Sequence, residues 1–446
     1  MIGCTIGRNF QVTVAGGSYQ EGLTAMVQGL PPGLALTEQA MYGDLLLRKP
    51  GADELSSPRK EPDLPVIYTG LNAADTVEDA GNKNLTNGTP LSILIPNLDR
   101  HFIHIKQYQD TNRTPRPGHA SYASFMKYGP DDDAIGAGIF SGRYTSTIVA
   151  AGHTAKEVLR RFGIDICAFV REAAGVVCPA MDTEAVFAAV ERYKKMRRDY
   201  DQFYQAVYVQ GRVTMDMRFL EKMAVFAAIE KEIDAIRAAG PKFDPAAVRK
   251  AYKVHPVINC PDPDAGDAMV ASCNRIMETG DSSGGVVEVL ARGVPAGMGE
   301  PVFDKLDAEL GRMLGIGAVK GVEIGAGFRV KDMTGIQSND AMRARKGRVS
   351  FDTNNAGGIT GGLTTGQDIV VRLAVKPTPT IDKPQHTIDK YTLENKQLAA
   401  ITRRDPTIVA RIWPVAESMT AIILLDHLFA HLGYQALREG VKKAGC

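Results

Sequence analysis

The sequence predicts a mixed α and β fold, and three observations carry that expectation. Short β-rich runs, such as LSILIP at residues 91–96 and DIVVRLAV at residues 368–375, are bounded by turns in which many of the 45 glycines cluster. Helical periodicity dominates elsewhere. With 446 residues, 44% of them hydrophobic, the chain can bury one large core or two ordinary ones, so a packed globular protein is expected.

The opening MIGCTIGRNFQVTVAGG reads as a short strand entering a glycine turn. No charged segment followed by an apolar run stands there, which points to a cytoplasmic protein. Residues 183–249 have a different texture, with charges and apolar residues alternating at helical spacing. Val186, Phe187, Val190 and Tyr193 form one stripe, and Phe219, Met223, Phe226, Ile229, Ile233 and Ile236 form a second, so two amphipathic helices are expected. Gly240-Pro241 stops the second helix, and NCPDPDAG at residues 259–266 reads as an exposed loop returning to the core. The longest apolar stretch, around residues 421–425, is too short to span a bilayer.

Charge excludes several partner classes. Lysine and arginine number 52 against 51 acidic residues, a net charge of +1, so no global field gathers nucleic acid or an anionic membrane. The cysteines Cys4, Cys167, Cys178, Cys260, Cys273 and Cys446 form no CxxC pair and no metal-ligand spacing, and no metal site is expected. Neither a phosphate-cradling GxxxxGK[ST] loop nor a correctly spaced dinucleotide fingerprint occurs, since GVEIGAGF has the wrong spacing.

Chemistry concentrates in glycine-rich segments whose polar residues exceed what a turn requires. They are RPGHASY at residues 116–122, SGRYT at 141–145, DSSGG at 281–285, NNAGGITGG at 354–362, KPTPT at 376–380 and RRDP at 403–406. Any one of them reads equally as a loop with solvated charges. Together they supply a histidine, hydroxyls, turn amides, a lysine and arginines, which equips a site to hold a polyanionic cofactor beside an anionic substrate.

These segments resemble the signature blocks of the chorismate synthase family, in the same order and over nearly the whole chain. The longest is GVPAGMGEPVFDKLDAELGRMLGIGAVKGVEIGAGF at residues 293–328, followed by NNAGGITGG and KPTPTI; IGRNFQVT, PPGLALTE, RPGHA and SGRYT with VAAGHTAK complete the pattern. The resemblance implies an α+β fold, a β-α-β sandwich of helices and antiparallel sheets in one domain spanning residues 1–446, with residues 183–249 as a helical insertion. It also implies reduced FMN as cofactor, a trans-1,4 elimination of phosphate from 5-enolpyruvylshikimate-3-phosphate, and a homotetramer. Residue by residue, it assigns His119, Asp405, Ser18 and Tyr19 to catalysis. Ser141, Arg143, Gly317, Ala318, Lys376, Thr380 and Arg403 are assigned to the cofactor, and Arg48, Arg143 and Arg403 to the small anionic substrate, where arginine forks suit carboxylate and phosphate oxygens.

The sequence also departs from the family pattern, and it does so on the substrate side. Where the family reads GESHG this chain reads GGSYQ, placing Tyr19 at the position of a histidine that protonates the leaving phosphate. A phenol with an ordinary pKa near 10 donates a hydrogen bond but is a poor acid at neutral pH. Glu54 stands in place of an arginine facing the phosphate, a repulsion on the order of 1 to 4 kcal/mol unless Arg59 or Lys60 compensates. Ser121, Leu47 and Arg404 are further changes. A related FMN-dependent lyase on another cyclohexene acid, and a non-catalytic homologue, therefore stay open beside chorismate formation.

Overall fold

Period-2 burial builds the first sheet. The computed structural model describes residues 3–51, 55, 60–72, 80–99, 112–133, 135–399 and 405–443. Strands β1 (Thr5–Ile6), β2 (Gln11–Gly16), β3 (Gly22–Gln28), β4 (Val66–Thr69) and β5 (Leu91–Pro96) form an antiparallel sheet in the order β1-β2-β3-β5-β4. Leu23, Ala25 and Val27 stand directly opposite Ile95, Ile93 and Leu91, so one apolar face is continuous across the pair. A second antiparallel sheet takes β6 (Asp165–Ala173), β7 (Val176–Val177), β8 (Gly285–Arg292), β9 (Val319–Ile324) and, after the hairpins β10–β11 (Met342–Arg345, Arg348–Phe351) and β12–β13 (Ile359–Thr360, Leu363–Thr364), β14 (Ile369–Val375). Its order is β7-β6-β8-β14-β9. A last hairpin pairs β15 (Gln385–Ile388) with β16 (Asn395–Leu398).

Helices fill the space between the two sheets. After α1 (Glu38–Arg48) and α2 (Ser121–Tyr128), α3 (Thr145–Arg161) packs on β3 of the first sheet and β6 of the second, and on the long C-terminal helix. Fourteen of its residues are buried, so it shows no polar face. At Gly152 a Cβ would fall 2.3 Å from the Cβ of Ser418, so only glycine allows this crossing. The layering is the β-α-β sandwich expected.

The segment 183–249 carries α4 (Thr183–Tyr200), α5 (Phe219–Ala239) and α6 (Pro245–Tyr252). Asp182 caps α4 by accepting the amides of Glu184 and Ala185, and α5 stops at Gly240. Of the two stripes, eight residues are buried, while Phe219 and Met223 are partly buried against the same core. A π-helical turn, Tyr204–Val209, joins the helices and has no signature in the sequence.

Two sequence expectations are corrected. NCPDPDAG is not an exposed loop: Asn259 donates to the Ala168 carbonyl at 2.9 Å and its own carbonyl accepts the Val170 amide at 2.8 Å, pairing it with β6. Asp262 then caps α7 (Pro263–Glu278) through the Ala265 amide at 2.8 Å. The apolar run at residues 421–425 is also longer than it reads. Beyond the short α8 (Leu306–Leu310) and α9 (Gly335–Ser338), it belongs to α10 (Val409–Lys443), which is long and apolar enough to cross a membrane by length and composition, at a mean hydropathy of 1.3. Seventy-two per cent of that apolar window is buried inside the protein, as in a core helix.

Four helices share one buried ionic cluster. Asp44 of α1 meets His153 at 2.8 Å and Lys156 at 3.0 Å on α3; Glu417 of α10 binds Lys156 at 2.8 Å and Lys194 of α4 at 3.0 Å. Burial pushes the Asp44 carboxyl up, but Lys156 and His153 outweigh it and hold it well below the usual range.

Candidate functional site

The α3 N-terminus is built by its own hydroxyls and sets out the first half of the site. Ser141 caps the single turn Gly142–Tyr144 by accepting the Arg143 amide, and Thr145, Ser146 and Thr147 donate to the carbonyls three residues back. Ser18, fully buried in the glycine turn after β2, lies 3.3 Å from Ser141, hydroxyl to hydroxyl. The Tyr19 ring lies over Gly136, where a Cβ would come within 2.4 Å of it and the backbone φ is +59°. Arg143 donates through Nε to Asn97 Oδ1 at 2.9 Å and pairs with Asp63; Glu61 lies 3.6 Å away. Arg48 pairs with the same Asp63 and donates to the Gly142 carbonyl at 3.1 Å. Both guanidiniums are buried and share one buried carboxylate.

The second half gathers around the end of β14. Lys376 donates its amide to the Ala318 carbonyl at 2.9 Å, and its ammonium bonds the Gly118 carbonyl in the loop carrying His119. Arg116 donates to Thr380 Oγ1 at 3.3 Å, and Ser282 of DSSGG donates to the Thr378 carbonyl at 2.7 Å. Thr378 Oγ1 donates to the Asp405 carbonyl at 2.7 Å, while the Asp405 carboxylate pairs with Arg411 at 2.7 Å. Gly118, Ser282, Lys376 and Thr378 help line a cleft of about 310 Å³. Beside it His119 Nδ1 is buried with no hydrogen-bond partner among the described residues. Burial, then the charges of Arg116 and Lys376, lower the imidazole pKa to about 4, so the ring is neutral at pH 7.

Tyr144 joins the halves: its hydroxyl donates to the Gly315 carbonyl and accepts the Gly317 amide, each at 2.9 Å. Thus Ser18, Tyr19, Ser141, Arg143 and Arg48 form one group, His119, Lys376, Thr380 and Asp405 the other, with Gly317 and Ala318 between them. The NNAGGITGG block is not among them. Asn354 bonds the Asp368 carbonyl just before β14, whereas Lys376 follows its last residue, so a seven-residue strand of roughly 20 Å separates them. Glu54, Arg59, Arg403 and Arg404 lie outside the described residues. Leu47 is a core residue, and Ser121 Oγ accepts the Arg116 amide at 3.0 Å. A larger cavity, about 530 Å³, opens at the far end of α3 between Arg160, Arg198 and Arg292, away from every one of these residues.

Sequence reasoning missed Glu61, Asp63, Asn97 and Tyr144. Nothing in the sequence around Glu61 and Asp63 marks them as inward-facing acids, and only the fold buries them. Tyr144 sits inside the SGRYT block, yet nothing local marks its partner 171 residues away.

These features define a class: an α+β protein whose cleft lies beside a half-buried, neutral histidine flanked by cations, as suits an anionic ligand. The comparisons narrow it. The chorismate synthase family description matches residues 10–429. The chain is 39% identical to the chorismate synthase of Acetivibrio thermocellus over 99% of this chain and 98% of that protein, and 35% identical to that of Methanosarcina mazei over 96% of each. A crystal structure of a chorismate synthase superposes with a TM-score of 0.61, covering 96% of this chain and 94% of the other at 24% identity, which speaks for the fold. The chain belongs to the chorismate synthase family.

Proposed function

We propose that the protein is a lyase that forms chorismate, by trans-1,4 elimination of phosphate from 5-enolpyruvylshikimate-3-phosphate, with reduced FMN as cofactor. The supporting observation is His119, whose buried Nδ1 lacks a partner among the described residues and which sits by Arg116 and Lys376 beside an open cleft. Reduced FMN supplies the transient electron donation that weakens the bond to phosphate and a place for the hydrogen that leaves.

The protein's own groups bind and orient. Lys376 and Arg116 hold anionic oxygens, and neutral His119 offers Nδ1 as a hydrogen-bond partner for the ring. Arg143 and Arg48, held rigidly by the Asp63 they share and by Glu61 3.6 Å from Arg143, present N–H donors to the substrate. Tyr19 donates its phenol proton in a hydrogen bond to the departing phosphate, and Asp405 assists hydrogen transfer.

Anaerobic titration tests the cofactor: reduced FMN binds more tightly than oxidised FMN because Arg116 and Lys376 favour the anionic reduced ring. Absence of binding in both states overturns the reading. Turnover of 5-enolpyruvylshikimate-3-phosphate with reduced FMN tests the substrate. Tyr19 favours one second reading, a lyase for another cyclohexene acid. On that reading native turnover is weak and Tyr19→His with Glu54→Arg raises it; native turnover at an ordinary enzymatic rate excludes it.

The proposal extends to assembly: one cytoplasmic domain as a homotetramer, with the helices of residues 183–249 as an insertion at an interface or over the cleft. Sedimentation of the full chain tests this, and a monomer at micromolar concentration refutes the tetramer.

A further inference from the structure

The loop that enters β9 is held from outside its own sheet by a phenol. Gly317 and Ala318 precede β9, and Ala318 sits at φ +73°, a left-handed conformation that L residues rarely adopt. Such a backbone persists where its surroundings over-determine it. Two anchors are visible. Lys376 donates its amide to the Ala318 carbonyl at 2.9 Å, and the Tyr144 hydroxyl spans the loop from the Gly315 carbonyl to the Gly317 amide. The first anchor comes from the residue that follows β14, at the end of a strand in the same sheet. The second comes from the turn that also carries Ser141 and Arg143, in front of α3. Burial raises the Tyr144 pKa, so the hydroxyl keeps the proton it donates to Gly315.

We propose that Tyr144 is a positioning residue for the flavin: its hydroxyl holds residues 315–318 in the shape that receives the cofactor and ties that loop to the turn bearing Arg143. The inference rests on the reading that Gly317 and Ala318 meet FMN. Its chemistry is that of one group acting as donor and acceptor at once. Phenylalanine keeps the ring and removes both bonds, leaving a carbonyl and an amide of the loop without their partner.

The experiment compares the full-length wild-type protein with Tyr144→Phe. Anaerobic titration with reduced FMN is expected to show about tenfold weaker binding in the variant, ~1.4 kcal/mol at 1.4 kcal/mol per tenfold. Hydrogen exchange at the Gly317 amide, read without ligand, speeds up by a similar factor. Binding of 5-enolpyruvylshikimate-3-phosphate in the absence of flavin, and the melting temperature, stay near the wild-type values; a general structural role would lower both. Equal FMN affinity in the two proteins, with an unchanged Gly317 amide, overturns the proposal. If the wild type binds no FMN, the cofactor reading fails first and this inference falls with it; if the wild type binds and only the variant is indifferent, the cofactor reading survives alone.

Discussion

Two histidines in this molecule mark two kinds of buried polarity. His153 sits in the ionic cluster between α1, α3, α4 and α10, where two carboxylates, Asp44 and Glu417, face two ammonium groups, Lys156 and Lys194. His119 sits beside Arg116 and Lys376, and the groups that shift its pKa, apart from burial, are both cationic. In each ring one buried nitrogen lacks a hydrogen bond among the described residues. The difference is the sign of the neighbouring charge. A cluster in which acids face bases holds helices together; a histidine kept neutral with two cations as its charged neighbours has the electrostatics of a place where an anion arrives.

The comparison breaks most sharply at Glu417. Glu417→Ala leaves Lys156 and Lys194 buried without their shared carboxylate, and a loss of about 3 to 5 kcal/mol in chemical denaturation is expected. A loss below about 1 kcal/mol means that water already solvates the cluster, and the contrast with the cleft disappears.

On the other side, Lys376→Met removes a cation from the cleft. Stability changes little, whereas affinity for reduced FMN falls by roughly ten- to a hundredfold, the worth of one charge-assisted bond. The His119 pKa, followed by NMR, moves up from about 4 because one of its depressing charges is gone. A variant that loses stability but keeps FMN affinity places Lys376 with the structural charges.

A pH titration sharpens the same point with a smaller effect. The folded pKa of His119, about 4, lies below the ordinary 6.5, so between those values the unfolded chain binds a proton that the folded protein refuses. The contribution of His119 to stability is therefore complete above about pH 6.5 and is lost as the pH falls toward about 4. His119→Asn removes that component from the denaturation profile. A bound anion raises the His119 pKa, so binding takes up protons in this window, measurable as a buffer-dependent heat. Smallest of all is Glu191→Gln at the rim of the ionic cluster. Glu191 is 59% exposed in its i,i+3 pair with Lys194, and its loss costs about 0.5 kcal/mol or less.

Much of this was legible before any coordinates. The apolar stripes of α4 and α5 name their buried faces because a 3.6-residue period and a core leave no other choice. The blocks around Ser141, His119 and Lys376 stand out because hydroxyls, glycines and cations recur there beyond what turns require. What the sequence by itself determined was thus the class of fold, the helical faces and the residue types of the site, each set by neighbours within a few positions. Only the tertiary structure decided that Asp63 lies between Arg48 and Arg143, that Glu417 balances two lysines from different helices, and that Tyr144 reaches Gly317. It also decided that NNAGGITGG stands at the far end of β14 from Lys376. The physical reason for the first three is the same: the energy of a buried charge or hydroxyl is set by whichever partner folding brings within hydrogen-bond reach, and that partner stands 80 residues away for Asp63 and Arg143, 173 for Tyr144 and Gly317, and more than 200 for Glu417 and its lysines.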